Sequence, residues 1–163
     1  MFKSCVCDKC KECCTWNPGW MMPDEAEMAI KSGYAHRLMI DWWIETAFRN
    51  IYVLTPAAIG MEGKNALTDE ERGLSFSIGR CTFFSKDKLC QIHSSGFKPY
   101  ECVKEFACDT RKESFRHEIK LAWDTKEAQD LVSVWASIVG FDLDVFSPKT
   151  SNIYSALGIS NVW

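Results

Sequence analysis

Residues 7–14 read C-D-K-C-K-E-C-C and hold four of the chain's nine cysteines. A spacing of three residues projects successive sulfurs toward one point, whether the segment forms a tight loop or a turn of helix. A single C-x2-C pair is common, so the third and fourth cysteines supply most of the information. Charged residues separate these thiols, which makes a purely buried packing role improbable. The stretch therefore predicts a metal centre that includes Cys7, Cys10 and Cys13, with Cys14 directly after them.

Two kinds of metal centre use this spacing. Bacterial ferredoxins hold a cubane iron–sulfur cluster with C-x2-C-x2-C and a remote fourth cysteine. Zinc takes two such thiolates and two more from elsewhere. The spacing favours an iron–sulfur cluster slightly over zinc. On a helix, Cys14 would be rotated by about 100° from Cys13, so it serves a second metal ion or packs as a small apolar residue.

The overall composition restricts the class of protein. A length of 163 residues with 47% hydrophobic and 25% charged residues suits one folded domain, and the net charge of -3 gives no reason to expect nucleic-acid binding. The chain starts M-F-K-S without an apolar secretory segment, and it has no run of 18 apolar residues. We therefore expect a cytoplasmic protein with no membrane partner. Its odd number of cysteines favours reduced thiols, and disulfides are the alternative for an exported chain.

A second group of cysteines follows the cysteine-free residues 15–80, and its members are Cys81, Cys90, Cys102 and Cys108. Residues 80–84 and 89–93 have strand character and are separated by a polar turn, which predicts a hairpin that brings Cys81 near Cys90. A helix beginning after Pro99 should carry Cys102. A metal site shared by both groups would clamp the two parts of the chain together.

Helix signals surround these motifs. Helices are predicted over residues 23–31, ended by Gly33, over residues 35–50, and from Asp124 or Thr125 to Gly140. The predicted fold class is therefore mainly α with a small β-hairpin, in a compact Cys-rich metal-binding domain. We expect a single domain over residues 1–163, with the motif region at 5–108 and a helical part and tail at 109–163.

The cysteine-bearing segments resemble the YkgJ-type cysteine-cluster family, a zinc- or iron-chelating domain with the signature CxxCxxCC. Its pattern continues with G-x-C-x-F, C-x-I-(Tyr or His) and (Arg or Lys)-Pro-x2-Cys. The chain has these elements in the same order, at residues 79–83, 90–93 and 98–102. The resemblance extends from residue 7 to about residue 108. It implies a metal-chelating protein whose ligands are Cys7, Cys10, Cys13, Cys14, Cys81, Cys90 and Cys102, and it implies no particular reaction.

His93 is a further candidate metal ligand, because neutral imidazole joins thiolates in Cys3His zinc sites. It could instead donate a hydrogen bond to a coordinating sulfur or cap the hairpin. Cys5 and Cys108 lie outside the motif and are expected to be packing or spare thiols. Seven thiols and one imidazole suit two tetrahedral zinc ions, one four-iron cluster with one zinc, or one cluster with spare thiols.

The function predicted from these residues is metal chelation with a structural or electron-transfer role. One alternative is a metal-dependent redox or group-transfer enzyme, although the sequence offers no catalytic constellation and we assign no catalytic residue. Another is a metal-shaped interaction module whose tail, residues 141–163, docks a protein partner. The sequence leaves open whether the protein is an enzyme.

Overall fold

The computed structural model describes residues 7–16, 18–46, 49–59, 79–104 and 115–146. Over these ranges the order of elements is α1 (Asp8–Trp16), α2 (Pro23–Lys31), β1 (Leu38–Thr46), β2 (Arg49–Pro56), β3 (Ala58–Ile59), β4 (Arg80–Cys81), α3 (Tyr100–Lys104), α4 (Phe115–Trp123) and α5 (Lys126–Val139). Short 3-10 turns cover Ala35–Arg37 and Leu143–Phe146. The prediction of a mainly helical domain with a small hairpin is confirmed. Cys5, Cys108 and the tail from residue 147 onward lie outside the described residues.

Helix α2 begins and ends where its sequence signals predict. Pro23 occupies its first turn, and the Glu25 carboxylate accepts a hydrogen bond from the backbone N–H of Met22 at 2.8 Å. Gly33 follows the helix with φ 84°, in the left-handed region that favours glycine. The expected bounds of 23–31 are therefore confirmed.

Helix α5 has the predicted cap at each end. Thr125 precedes it, and the Thr125 Oγ1 accepts a hydrogen bond from the Ala128 backbone N–H at 3.2 Å. Gly140 closes the helix with φ 72°, and its backbone N–H donates to the Ala136 carbonyl. Local capping chemistry is sufficient to fix both ends of this helix.

The helix predicted over residues 35–50 is wrong, because most of this segment is the strand β1. It pairs with β2 in an antiparallel hairpin, with Leu38 opposite Pro56 and Trp43 opposite Ile51. The hairpin is covered on both faces. Leu38 and Ile40 belong to the main core, whereas Met39 packs with Ala57 and Ala58 in a second cluster. With both faces buried, the strand lacks the polar alternation that distinguishes a half-exposed strand from a helix.

The hairpin predicted over residues 80–93 is correct in part. Strand β4 is only two residues long and pairs with β3, with Ala58 opposite Cys81. The two segments that were predicted as strands are connected by an isolated antiparallel bridge between Phe84 and Cys90. The Ser85 backbone N–H donates to the Leu89 carbonyl at 2.9 Å and closes the turn between them. The predicted reversal of the chain is therefore present, without two regular strands.

The core is built on the β1–β2 hairpin, against which α2, α4 and α5 pack. Trp123 and Trp135 are its largest fully buried side chains. Each indole N–H donates to a backbone carbonyl, from Trp123 to Met21 at 2.7 Å and from Trp135 to Ala35 at 2.9 Å. Both tryptophans thus bury large apolar surfaces without leaving their N–H groups unpaired.

Candidate metal centre

Helix α1 presents the N-terminal cysteines in different directions. A rotation of about 100° per residue places Cys7 and Cys14 on nearly the same line, with Cys10 beside them and Cys13 about 100° from Cys14. The exposures agree, since Cys13 is exposed and the other three are half-buried. Cys14 also packs against the main core. The fourth cysteine of the run is therefore the one that faces the interior.

Strand β4 and the turn after it supply the next two thiols. Cys81 is buried at the end of β4, and Cys90 is half-buried at the bridge to Phe84. Helix α1 lies against β4, and the Trp16 carbonyl accepts a hydrogen bond from the Gly79 backbone N–H at 2.8 Å. This contact joins the two cysteine-bearing parts of the chain.

Helix α3 supplies Cys102, which lies against the loop between α1 and α2. A β-carbon built at Gly19 would come within 2.5 Å of the Cys102 sulfur, so only glycine allows this approach. The Glu101 backbone N–H donates to the Trp20 carbonyl at 3.2 Å and fixes the loop beside the helix. The start of α3 agrees with the predicted helix after Pro99.

Electrostatic interactions connect four of the thiols. Burial raises the pKa of the Cys14 thiol, and the nearby Cys90 raises it further. Burial raises the pKa of Cys81 to about 12, with Cys14 and Cys90 adding to the effect. Burial also raises the pKa of Cys102 well above its ordinary value, with Cys81 and Cys14 as the next contributors. Cys14 therefore interacts with each of the other three, and we call Cys14, Cys81, Cys90 and Cys102 the inner thiols.

Two backbone amides favour the thiolate form of inner thiols. The Phe83 N–H lowers the pKa of Cys81, and the Gly19 N–H lowers that of Cys102. Amide hydrogen bonds to sulfur are also among the interactions that tune the potential of protein-bound iron–sulfur clusters. These donors stabilise negative charge on sulfur at two separate points of the cluster.

Two cations lie close to the inner thiols. Arg37 lowers the pKa of Cys81, and Lys98 lowers that of Cys14. The Arg37 guanidinium is held 4.0 Å from the centroid of the Phe83 ring and donates to Gln91 Oε1 at 2.7 Å. Both cations offset part of the charge that several thiolates would carry together.

His93 is exposed, and its Nδ1 lies 3.5 Å from the Lys98 Nζ. The Lys98 side chain therefore links His93 to the surroundings of Cys14. The His93 backbone N–H donates to the Cys90 carbonyl at 3.2 Å, so His93 lies next to one inner thiol in the fold. Its role as a metal ligand stays a prediction.

The chemistry of the inner thiols fits a thiophilic metal, since four cysteine sulfurs suit tetrahedral zinc or iron. Among the described residues, no three Cys, His, Asp or Glu side chains already converge closely enough to hold a metal ion. Burial raises the pKa values of Cys14, Cys81 and Cys102, because a buried thiol without a cation beside it is favoured in the neutral form. A bound metal would replace their protons and draw the sulfurs together.

The sequence of the chain matches a known protein family. The family model "CxxCxxCC: Putative zinc- or iron-chelating domain" matches residues 6–127, which is well over half of the chain. The chain belongs to the CxxCxxCC family. No curated protein and no solved structure matches it. In the parts of this CxxCxxCC protein that the structure describes, no helix is long and apolar enough to cross a membrane.

The CxxCxxCC domain also uses residues that sequence reasoning did not select. The Trp20 indole N–H donates to Asp41 at 2.7 Å, and the Trp20 backbone N–H donates to Glu101 at the same distance. Both carboxylates are buried, with 7% and 6% of their surface exposed. The spacing of metal ligands in the sequence does not indicate Gly19 or Glu101, which lie beside Cys102 in space, because neither is itself a metal ligand in the motif.

Proposed function

We propose that this protein chelates zinc or an iron–sulfur cluster and that the inner thiols hold the metal. The electrostatic interaction of Cys14 with Cys81, Cys90 and Cys102, which lie in different segments of the chain, carries this proposal. Amide donors to two sulfurs and the nearby Arg37 are further support, since both favour thiolates. The resident metal would supply the positive charge that these thiolates require.

The remaining candidates are the other cysteines of residues 7–14 and His93. Cys7 and Cys10 share the side of the helix on which Cys14 lies, and Cys10 and Cys13 both affect the pKa of Cys14. With His93 they complete the set of eight proposed ligands. A set of this size suits either a second metal ion or a cluster larger than one atom.

The proposed role of the metal is structural or electron-transferring. Ligands from both ends of the motif region would be cross-linked through one centre, which ties α1 to β4 and α3. The proposed compartment is the cytoplasm, where glutathione and thioredoxin keep such thiols reduced.

Anaerobic purification followed by elemental analysis and an absorption spectrum tests this proposal. We expect zinc, or iron with sulfide, at one to a few equivalents. Cys81→Ser and Cys90→Ser should lose metal as completely as Cys10→Ser. A wild-type protein that folds cooperatively without metal and with all its thiols titratable would refute the proposal, and loss restricted to Cys10→Ser would remove the second cysteine group from the centre.

A further inference from the structure

Glu101 is a buried carboxylate that directly precedes Cys102. Its Oε2 accepts the Trp20 backbone N–H at 2.7 Å, and its Oε1 lies 3.2 Å from the Arg116 Nε. Arg116 in turn lies over the Trp20 ring, with its guanidinium carbon 5.0 Å from the ring centroid. Burying a carboxylate is costly unless such partners compensate it. All of these partners converge on the loop that contains Gly19.

The contact between Glu101 and Trp20 is reciprocal. The Glu101 backbone N–H donates to the Trp20 carbonyl at 3.2 Å, while the Glu101 side chain accepts from the Trp20 N–H. Two hydrogen bonds thus fasten the loop to the first turn of α3. Gly19 is the neighbouring residue in that loop, and a β-carbon built on it would come within 2.5 Å of the Cys102 sulfur. The absence of a side chain at Gly19 allows the close approach.

The charge of Glu101 opposes the formation of a thiolate at Cys102, because a carboxylate raises the pKa of a neighbouring thiol. What Glu101 offers the site is its hydrogen bond with the Trp20 backbone N–H, at 2.7 Å. A charge-assisted hydrogen bond is shorter and stronger than a neutral one, which makes a carboxylate an effective clamp for a backbone N–H.

We infer that Glu101 is a positioning residue for Cys102. Through Trp20 it holds the Gly19 amide against the Cys102 sulfur, and so it sets the hydrogen bonding and direction of that ligand. This inference rests on the proposed metal chelation. It adds Glu101, a variable position of the (Arg or Lys)-Pro-x2-Cys element, to the determinants of metal affinity.

The test uses Co²⁺ as a spectroscopic probe, loaded anaerobically into the full chain, with affinity measured by competition against a chelator. We expect Glu101→Ala to bind Co²⁺ about 10- to 100-fold more weakly, the usual effect of losing a group that orients a metal ligand. Its thiolate-to-Co²⁺ charge-transfer band should also shift. Glu101→Gln keeps an acceptor for the Trp20 N–H and should restore most of the affinity.

Asp41→Asn is the matched control. Asp41 is as buried as Glu101 and also accepts a hydrogen bond from Trp20, but through the indole N–H rather than the backbone. It should reduce stability while leaving the charge-transfer band unchanged. If Glu101→Ala fails to fold, Glu101→Asp keeps the charge, shortens the reach to Trp20 and should weaken Co²⁺ binding in the same direction.

The outcomes separate this inference from the proposed function. A wild-type chain without any thiolate-to-Co²⁺ band would overturn the proposed function and, with it, the inference. A normal wild-type band with an unchanged affinity and spectrum in folded Glu101→Ala, or in Glu101→Asp if the alanine variant does not fold, would overturn the inference alone. An effect of Asp41→Asn on the band as large as that of Glu101→Ala would also overturn it, because general disruption around Trp20 would then be the cause.

Discussion

The carbonyl of Trp16, at the end of α1, accepts a hydrogen bond from the Gly79 backbone N–H at 2.8 Å. These residues are far apart in sequence. Trp16 follows the cysteines of α1, and Gly79 precedes Cys81. Their contact brings α1 alongside β4. The inner thiols are therefore gathered by ordinary backbone pairing as well as by any metal between them.

The first prediction compares two adjacent cysteines. Cys14 packs on the core and interacts with the other inner thiols, whereas Cys13 is exposed. Cys14→Ser should therefore lose as much metal as Cys81→Ser, and Cys13→Ser should lose less. Metal content after anaerobic gel filtration measures both. Equal loss from the two serine variants would mean that exposure on α1 does not determine which thiol binds.

The second prediction concerns the space at Gly19. Gly19→Ala would place its β-carbon 2.5 Å from the Cys102 sulfur and 3.2 Å from the Cys102 backbone nitrogen. Such overpacking costs about 1–3 kcal/mol of unfolding free energy and should also displace Cys102, so metal affinity falls. Chemical denaturation and chelator competition measure the two effects.

Gly33→Ala is the control for this substitution. Gly33 has φ 84° and no atom within 4 Å of the added β-carbon, so the change strains the backbone without touching a thiol. It should cost about 1–2 kcal/mol and leave metal affinity unchanged. Weaker metal binding in Gly33→Ala would show that stability alone controls the site.

The third prediction is a pH dependence from Glu25. Burial raises the pKa of this carboxyl from 4.5 to about 7, although the Met22 and Tyr100 backbone N–H groups both donate to it and lower the value, while Asp24 raises it. Between these two pH values the folded state holds a proton that the unfolded state has released. Stability from this group is therefore complete below pH 4.5 and is lost as the pH rises through 7.

Glu25→Gln should remove this decline. In chemical denaturation, the free energy of unfolding of Glu25→Gln relative to that of the wild type should therefore increase from pH 5 to pH 8. Glu27→Gln is the matched control on the same helix, where Glu27 forms an exposed ion pair with Lys31 at 2.9 Å. It should change stability by at most about 0.5 kcal/mol. Parallel pH profiles for Glu25→Gln and the wild type would contradict the prediction.

The sequence predicts helices α2 and α5 well because their ends depend on local groups such as Pro23, Thr125 and Gly140. It fails at β1, where burial on both faces removes the alternating pattern. The cysteine positions predict a metal site from spacing alone. The family resemblance implies that Cys14 and Cys102 belong to one ligand set, whereas the approach of Gly19 to Cys102 and the contact of Glu101 with Trp20 could not be predicted, since they depend on how distant segments pack.

The fourth prediction tests the buried indole of Trp123. Trp123→Phe would leave the Met21 carbonyl without the donor that lies 2.7 Å away, and it would open space in the core. The expected loss is about 1–3 kcal/mol of unfolding free energy. Trp16→Phe is the control, because that side chain is 59% exposed and its replacement should be close to neutral. Similar losses in both variants would argue against a structural role for the Trp123 hydrogen bond.

The fifth prediction is that removing the metal with a chelator lowers the melting temperature markedly. Zinc binding to small structural sites is worth about 10–16 kcal/mol in peptides, which is comparable with the stability of a whole domain. Calorimetry before and after chelation measures the change, and adding the metal back should reverse it. An unchanged melting temperature would exclude a structural role.

None of the nine residues of α1 is fully buried. A helix this short is marginal by itself, so it can open by local fluctuation while the tryptophan core stays folded. Amide hydrogen exchange should then be faster in α1 than in α5. When α1 opens, a metal ion held partly by Cys14 would become accessible to solvent, at a free-energy cost below that of global unfolding. The rate of metal exchange would then not depend on the rate at which the whole chain unfolds.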